Sequence, residues 1–197
     1  KPYQKKWLKM FKVVDNFLNK DEFKNIKETI QHPLFTWYYY PAINYEEGKE
    51  DLIEKDLNQY QFTHTFYENN RPNSPYFDNL QTLLNKLNCK SLVRIKANLN
   101  PYSSKLAESG YHIDFDYKNL KTAVYYINTN NGYTKFKKNN KKIKSLENRI
   151  VKFDSSLEHL GTNTTDSKRR IVLNINYFEW VLKKINTQLF VKLYQKT

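Results

Sequence analysis

The sequence predicts an α+β protein that is mainly β: a jelly-roll, or double-stranded β-helix, core with N-terminal helices packed on one of its sheets. After residue 90 the chain breaks into short runs of period-two alternation, SLVRIKANLN, TAVYYIN, IVKFD and IVLNINYF, separated by turn residues. Repeated half-buried strands of that kind build sandwiches and jelly-rolls. Before residue 90, helical spacing occurs in two places, so helices and strands are segregated along the chain as in α+β architectures. At 197 residues with no break in composition, the chain is expected to form a single domain over 1–197, with the β-core at about 91–178.

Taken in order, FKVVDNF (11–17) reads as a short strand. Asn19 with Glu22 three residues on forms a capping box, and Phe23, Ile26 and Ile30 then fall on one helical face that Pro33 is placed to end. The stretch from Leu34 to Asn70 mixes aromatic and acidic residues without a clean period until QFTHTFY, a strand in which His64 reads as a structural imidazole. Ser74 and Pro75 look like an N-cap and first turn, opening a helix with the apolar stripe Leu80, Leu83, Leu84 and Leu87. In SLVRIKANLN, Val93, Ile95, Ala97 and Leu99 form the core face. Arg94, Lys96, Asn98 and Asn100 form the other, facing either solvent or a site. NGY supplies a turn, with Gly132 tolerating a conformation other residues resist, and KFKKNNKKIKSLENR reads as an exposed lysine-rich hairpin around 137–144. The tail WVLKKINTQLFVKLYQKT suits a helix or a strand equally.

The chemistry concentrates between YHIDFDY and LEHLGTNTTDSKRRIVLNINYF. If YHIDFDY is a strand, His112 and Asp114 leave one face and reach a common cation, with Asp116 a rival carboxylate on that face and His159 the natural third ligand. Two imidazoles and a carboxylate on one side of a metal leave its other positions open, an arrangement that suits mononuclear non-haem Fe(II) oxygenases. Arg169 and Arg170 head the following strand, where a guanidinium can grip a carboxylate through two parallel hydrogen bonds.

His-X-Asp, a YYIN strand, NGYT, a later His and a trailing Arg, in that order from about Ser91 to Phe178, together resemble the Fe(II)/2-oxoglutarate-dependent dioxygenases, in particular the prolyl-4-hydroxylase-like branch and its small stand-alone members, several of them encoded by phage. The resemblance implies Fe(II) on His112, Asp114 and His159, with Asp114 preferred over Asp116. It implies 2-oxoglutarate as cosubstrate, its distal carboxylate held by Arg170 and Tyr126, with Asn98 a further contact, and ascorbate as an accessory reductant. It also implies dioxygen as a reactant and hydroxylation of a C–H bond, with a peptidyl proline or a small molecule favoured over nucleic acid as primary substrate. Alignment of RIVLNINYF with the family's Arg-led last strand selects Arg170 over Arg169. That choice sends Val172, Asn174 and Asn176 inward and Ile171, Leu173 and Ile175 outward. Oxidative demethylases of nucleic acid usually carry another arginine where this chain has Asn176, which weighs against that branch.

A formal net charge of +13 invites an anionic partner, and the alternative class is a nucleic-acid-binding jelly-roll that does not turn over. The excess is diffuse lysine, however, and reads as a solvated surface. Sixteen tyrosines and twelve phenylalanines supply core area. One cysteine, Cys89, excludes an internal disulfide, and neither a membrane-spanning run nor a signal-peptide layout stands in the sequence. The expectation is a cytoplasmic protein with no membrane partner, in a host cytoplasm if it is viral.

Overall fold

The longest strands carry the architecture, which is drawn from a computed structural model describing residues 10–41 and 60–180. β5 (Cys89–Pro101) and β11 (Arg169–Glu179) pair antiparallel along most of their length. On the far side of β11 lies β6 (Lys121–Tyr126), followed by β9 (Ile150–Asp154) and β1 (Phe11–Val14). On the far side of β5 lie β3 (Gln61–Glu68), with the short β4 (Arg71–Pro72) on it, and β2 (Tyr38–Tyr40). A second sheet of three strands faces this one: β10 (His159–Leu160), β7 (Tyr133–Phe136) and β8 (Lys141–Lys144). The N-terminal strands thus extend the β-core beyond 91–178. The tail after Trp180, compatible with either helix or strand, and most of the acidic stretch before Tyr60 lie outside the described residues.

Alternation divides β11 cleanly. Ile171, Leu173, Ile175 and Tyr177 point to the helix side, where they meet Ile95, Ala97 and Leu99 of β5 in the larger core. Helix α1 (Lys20–Gln31) contributes Phe23, Ile26 and Ile30 to that core, and Leu80, Leu83, Leu84 and Leu87 come from around helix α2 (Gln81–Lys86). A smaller core of Val124, Tyr126, Phe136, Ile143, Val151, Phe153 and Val172 fills part of the space between the sheets. Each fully buried aliphatic side chain contributes about 1.5–3 kcal/mol, so the helices are held by this face rather than by intrinsic propensity.

α1 is bounded as its sequence dictates. Asn19 Oδ1 accepts from Glu22 N–H at 2.9 Å while Glu22 Oε2 accepts from Asn19 N–H at 3.1 Å. His32, ahead of Pro33, is already extended with ψ 139°, the conformation a following proline enforces.

Three expectations are corrected. Ser74 does not open the second helix: its hydroxyl meets His64 Nε2 at 2.8 Å and accepts from Tyr76 N–H at 3.1 Å. A 3-10 turn, Phe77–Leu80, therefore precedes α2. Val93 yields its core position to Leu92, because the β5–β11 register shifts between Asn176 and Tyr177, leaving Arg94 opposite Asn176 and Leu92 opposite Tyr177. YHIDFDY forms no regular strand; it crosses the open end between the sheets and pairs with them in one isolated bridge, His112 to His159.

Candidate active site

Between the two sheets lies a cavity of about 350 Å³. Its floor is the interior face of β5 and β11, Arg94, Lys96, Asn98 and Asn100 beside Arg170, Val172 and Asn174. Val124 of β6 continues that floor, and the other wall comes from Thr134, His159 to Thr162, and Ser109, His112, Ile113 and Asp114 of the crossing segment. The second face of β5 therefore lines a cavity rather than meeting bulk solvent.

The crossing segment is fixed by backbone hydrogen bonds. Ser109 N–H donates to Gly161 O, His112 and His159 exchange N–H···O bonds at 3.0 Å each, and Asp114 N–H donates to Ser155 O at 3.1 Å. His112, Asp114 and His159 come together: one ligand atom from each lies within 4.8 Å of the other two. The ring Nδ1 of His159 is 2.9 Å from Leu157 O, and that of His112 is 3.3 Å from Gly110 O. Both contacts leave Nε2 for the cluster, the orientation that backbone carbonyls impose on metal-binding histidines.

Asp114 is the better-held carboxylate. It accepts from the Thr122 hydroxyl at 2.7 Å and from the Asn174 and Asn176 amides at 3.1 Å each. Burial alone would raise its pKa, but His159, the Thr122 hydroxyl, His112 and Arg94 outweigh it and hold the carboxyl below its ordinary value. Burial and the neighbouring His159 push His112 down, favouring the neutral imidazole that ligates a metal. Asp116 is exposed.

At the other end of β11, Arg170 is 3% exposed and lines the cavity. Its Nε donates to Ser145 Oγ at 2.9 Å and its Nη2 approaches Thr134 Oγ1 at 3.4 Å. Burial lowers its pKa from the usual arginine value, but an arginine stays protonated in a protein, so a cation faces the cavity. Arg169 is directed away by alternation. Tyr126 is fully buried behind this group, its ring centroid 5.7 Å from the Arg170 guanidinium carbon and its hydroxyl donating to Thr134 Oγ1 at 2.8 Å. It is not among the lining residues; Thr134 stands between it and the cavity. Asn98 does line the cavity, its Oδ1 buried without a partner.

Gly132 has a different reason to be glycine from the one its turn suggested. Its backbone is outside the left-handed region, but a Cβ would lie 2.6 Å from Arg170 Cδ and 2.6 Å from Asn163 O. Sequence reasoning missed Thr134, Ser145 and Thr122. The first stands in NGYT and was open to detection as the one small hydroxyl of that motif; the other two carry no signal of their own.

No protein-family model matches the chain, and no curated protein sequence matches it. Solved structures do. The viral collagen prolyl hydroxylase vCPH from Paramecium Bursaria Chlorella virus-1, in its 2OG complex, is 18% identical over 85% of this chain and 95% of its own, with TM-score 0.52. A Pseudomonas putida prolyl-4-hydroxylase is 11% identical, covering 90% and 97%, with TM-score 0.55. The non-heme alpha ketoglutarate dependent epimerase SnoN from nogalamycin biosynthesis is 10% identical, covering 91% and 82%, with TM-score 0.59. At these identities the likeness establishes the jelly-roll fold, and it spans proteins described by different reactions.

Proposed function

We propose that this chain is an Fe(II)- and 2-oxoglutarate-dependent dioxygenase that hydroxylates an unactivated C–H bond. The observation that carries the reading is the placement of three metal-type donors and one buried guanidinium in a single cavity. The donor set fits the metal: two imidazoles with their Nδ1 atoms already engaged and a carboxylate oriented by Thr122, Asn174 and Asn176, leaving one side open for small ligands.

Fe(II) and 2-oxoglutarate, once bound, supply the oxidising chemistry: one atom of dioxygen ends in succinate, released with carbon dioxide, and the other in the hydroxylated product. The protein's own contribution is positional. His112, Asp114 and His159 would hold the metal, and Arg170 would take the distal carboxylate as a charge-assisted pair in a site largely shielded from solvent. Tyr126 supports that pair through Thr134, whose Oγ1 accepts the Tyr126 proton and is thereby aligned beside Arg170. Asn98 adds a polar contact from the cavity floor.

Anaerobic titration with Fe(II) and then 2-oxoglutarate, followed by succinate measurement on admitting oxygen, tests the reading. Stoichiometric metal binding, 2-oxoglutarate binding that depends on it, and substrate-independent succinate formation are expected. Failure to bind both, with oligonucleotide binding retained, would support the non-catalytic nucleic-acid-binding alternative instead.

A further inference from the structure

We infer that the primary substrate is a small acid, held by its carboxylate between Arg94 and Lys96 on the opposite side of the metal-type cluster from Arg170. This rests on the dioxygenase reading and adds the substrate class to it.

Among the described residues lining the cavity, the cations are Arg94, Lys96 and Arg170, and the one carboxylate is Asp114. An Fe(II) ion and a 2-oxoglutarate dianion cancel each other, so loading the site leaves its positive surplus in place. Arg170 accounts for one cation. The register separates it from the rest: Arg170 is opposite Asn100, Asn174 opposite Lys96 and Asn176 opposite Arg94. The Arg94 row is therefore six residues along β11 from Arg170, about 20 Å of extended chain. 2-Oxoglutarate is no longer than about two residues of extended strand, so when held by Arg170 it covers only part of that length.

Arg94 faces one carboxylate, Asp114, which leaves part of its donor edge unfilled. Its Nε is buried with none, and its Nη2 is 3.6 Å from Asp114 Oδ1, beyond hydrogen-bonding distance. Asp114 already serves Thr122, Asn174 and Asn176. The guanidinium is fixed over the Phe115 ring, 4.9 Å from its centroid. A planar carboxylate answers such a donor edge. Burial and Arg94 both lower the Lys96 pKa, the effects a bound anion would offset.

The same floor offers acceptors. Asn98 Oδ1 and Asn174 Oδ1 are buried without partners. The orientation of Asn174 is set because its Nδ2 donates to Asp114; the reverse orientation would set oxygen against oxygen. The substrate therefore carries N–H or O–H donors beside its carboxylate, as an amino or hydroxy acid does and a phosphodiester does not. A cavity of about 350 Å³ stands at the small end of ligand sites, which suits a small acid better than a strand of nucleic acid whose phosphates lie on an outer surface.

The test is calorimetric titration of the anaerobic Fe(II)/2-oxoglutarate-loaded protein with free leucine, lysine, proline and glutamate, each beside its carboxamide, and with a single-stranded oligonucleotide. At least one acid should bind about tenfold or more tightly than its amide, the loss expected for one charge-assisted contact. Arg94→Gln and Lys96→Gln should erase that preference. Equal binding of acids and amides, no binding of any acid, or tighter binding of the oligonucleotide that Arg94→Gln abolishes would each overturn the inference while leaving the dioxygenase reading standing. A more than tenfold loss of 2-oxoglutarate affinity in Arg94→Gln would also overturn it, by assigning the cation to the cosubstrate. Failure of the protein to load with Fe(II) and 2-oxoglutarate at all would overturn both.

Discussion

At the scale of single residues, the choice between Asp114 and Asp116 turns on what surrounds each. Three side chains donate to Asp114, whereas Asp116 is exposed. Asp114→Ala should abolish Fe(II) binding and succinate formation, and Asp116→Ala should leave metal affinity within about twofold, as surface substitutions usually do; equilibrium dialysis with Fe(II) under anaerobic conditions reads both. Retained metal binding in Asp114→Ala would show that another carboxylate completes the set. Gly132 makes a second residue-scale case. A methyl there must displace the Arg170 stem or the Asn163 carbonyl, both at 2.6 Å. Gly132→Ala should destabilise the fold by about 1–3 kcal/mol, the range for overpacking, and should weaken 2-oxoglutarate binding while leaving Fe(II) binding intact. Urea unfolding and the two titrations separate these effects, and unchanged 2-oxoglutarate affinity would mean that Arg170 has room to shift without loss.

At the scale of elements, β11 is the decisive one, because its alternation assigns every side chain from Arg170 to Tyr177 to the cavity side or the helix side. Arg170→Ala should lower 2-oxoglutarate affinity by more than tenfold, corresponding to about 2 kcal/mol for a buried charge-assisted contact, and Arg169→Ala should change it less than about twofold. A larger defect in Arg169→Ala would reverse the assignment. β5 was legible in the sequence because its two faces differ in polarity. β11 was legible as an alternating strand, but polarity did not assign its faces, since both are buried; alignment with the family's Arg-led last strand selects Arg170. α1 was legible through Asn19, Glu22 and Pro33, whose effects are local. The segment from Tyr111 to Tyr117 was not, since its alternation mimics a strand while its hydrogen bonds go to Ser155 and His159, far away in sequence. Ser74 misled for a similar reason: its hydroxyl is engaged by His64 of β3. The pocket face of β5 read equally well as solvent-facing until the second sheet stood over it.

At the scale of the whole molecule, the question is how the N-terminal segment, which brings α1 onto the large sheet, is attached. Part of the answer is electrostatic. Arg149 grips Asp15 with Nε–Oδ1 at 2.5 Å and Nη2–Oδ2 at 2.9 Å, and the Arg149 hydrogen bonds lower the Asp15 pKa below its unfolded value. A depressed carboxylate stabilises the fold above its unfolded pKa and loses that contribution as the pH falls through the folded one. The pair should thus weaken only below about pH 4, and by little, because Asp15 is half exposed. The larger part is Asn148. Its Oδ1 accepts from Leu18 N–H at 2.9 Å and from the Tyr125 hydroxyl at 2.7 Å, and its Nδ2 donates to Leu18 O at 2.9 Å. Its own carbonyl accepts from Phe17 N–H at 2.8 Å. One side chain, 7% exposed, therefore joins the entry to α1, the loop before β9 and the buried Tyr125 of β6. Asn148 holds φ at 58°, a conformation that costs other L-residues roughly 1–2 kcal/mol. Asn148→Gly keeps the backbone relaxed but strands the Leu18 N–H and C=O, at about 1–3 kcal/mol for each buried group left unpaired. Asn148→Ala adds the backbone strain, so it should be the less stable by about 1 kcal/mol. Urea unfolding of the two variants should show the glycine protein about 3 kcal/mol below the parent and the alanine protein lower still. Because Asn148 lies on the helix side of β6, away from the cavity, the folded fraction of either variant should bind Fe(II) as the parent does. A loss under about 1 kcal/mol in Asn148→Gly would mean that water replaces the amide, and that packing of α1 alone holds the N-terminal segment in place.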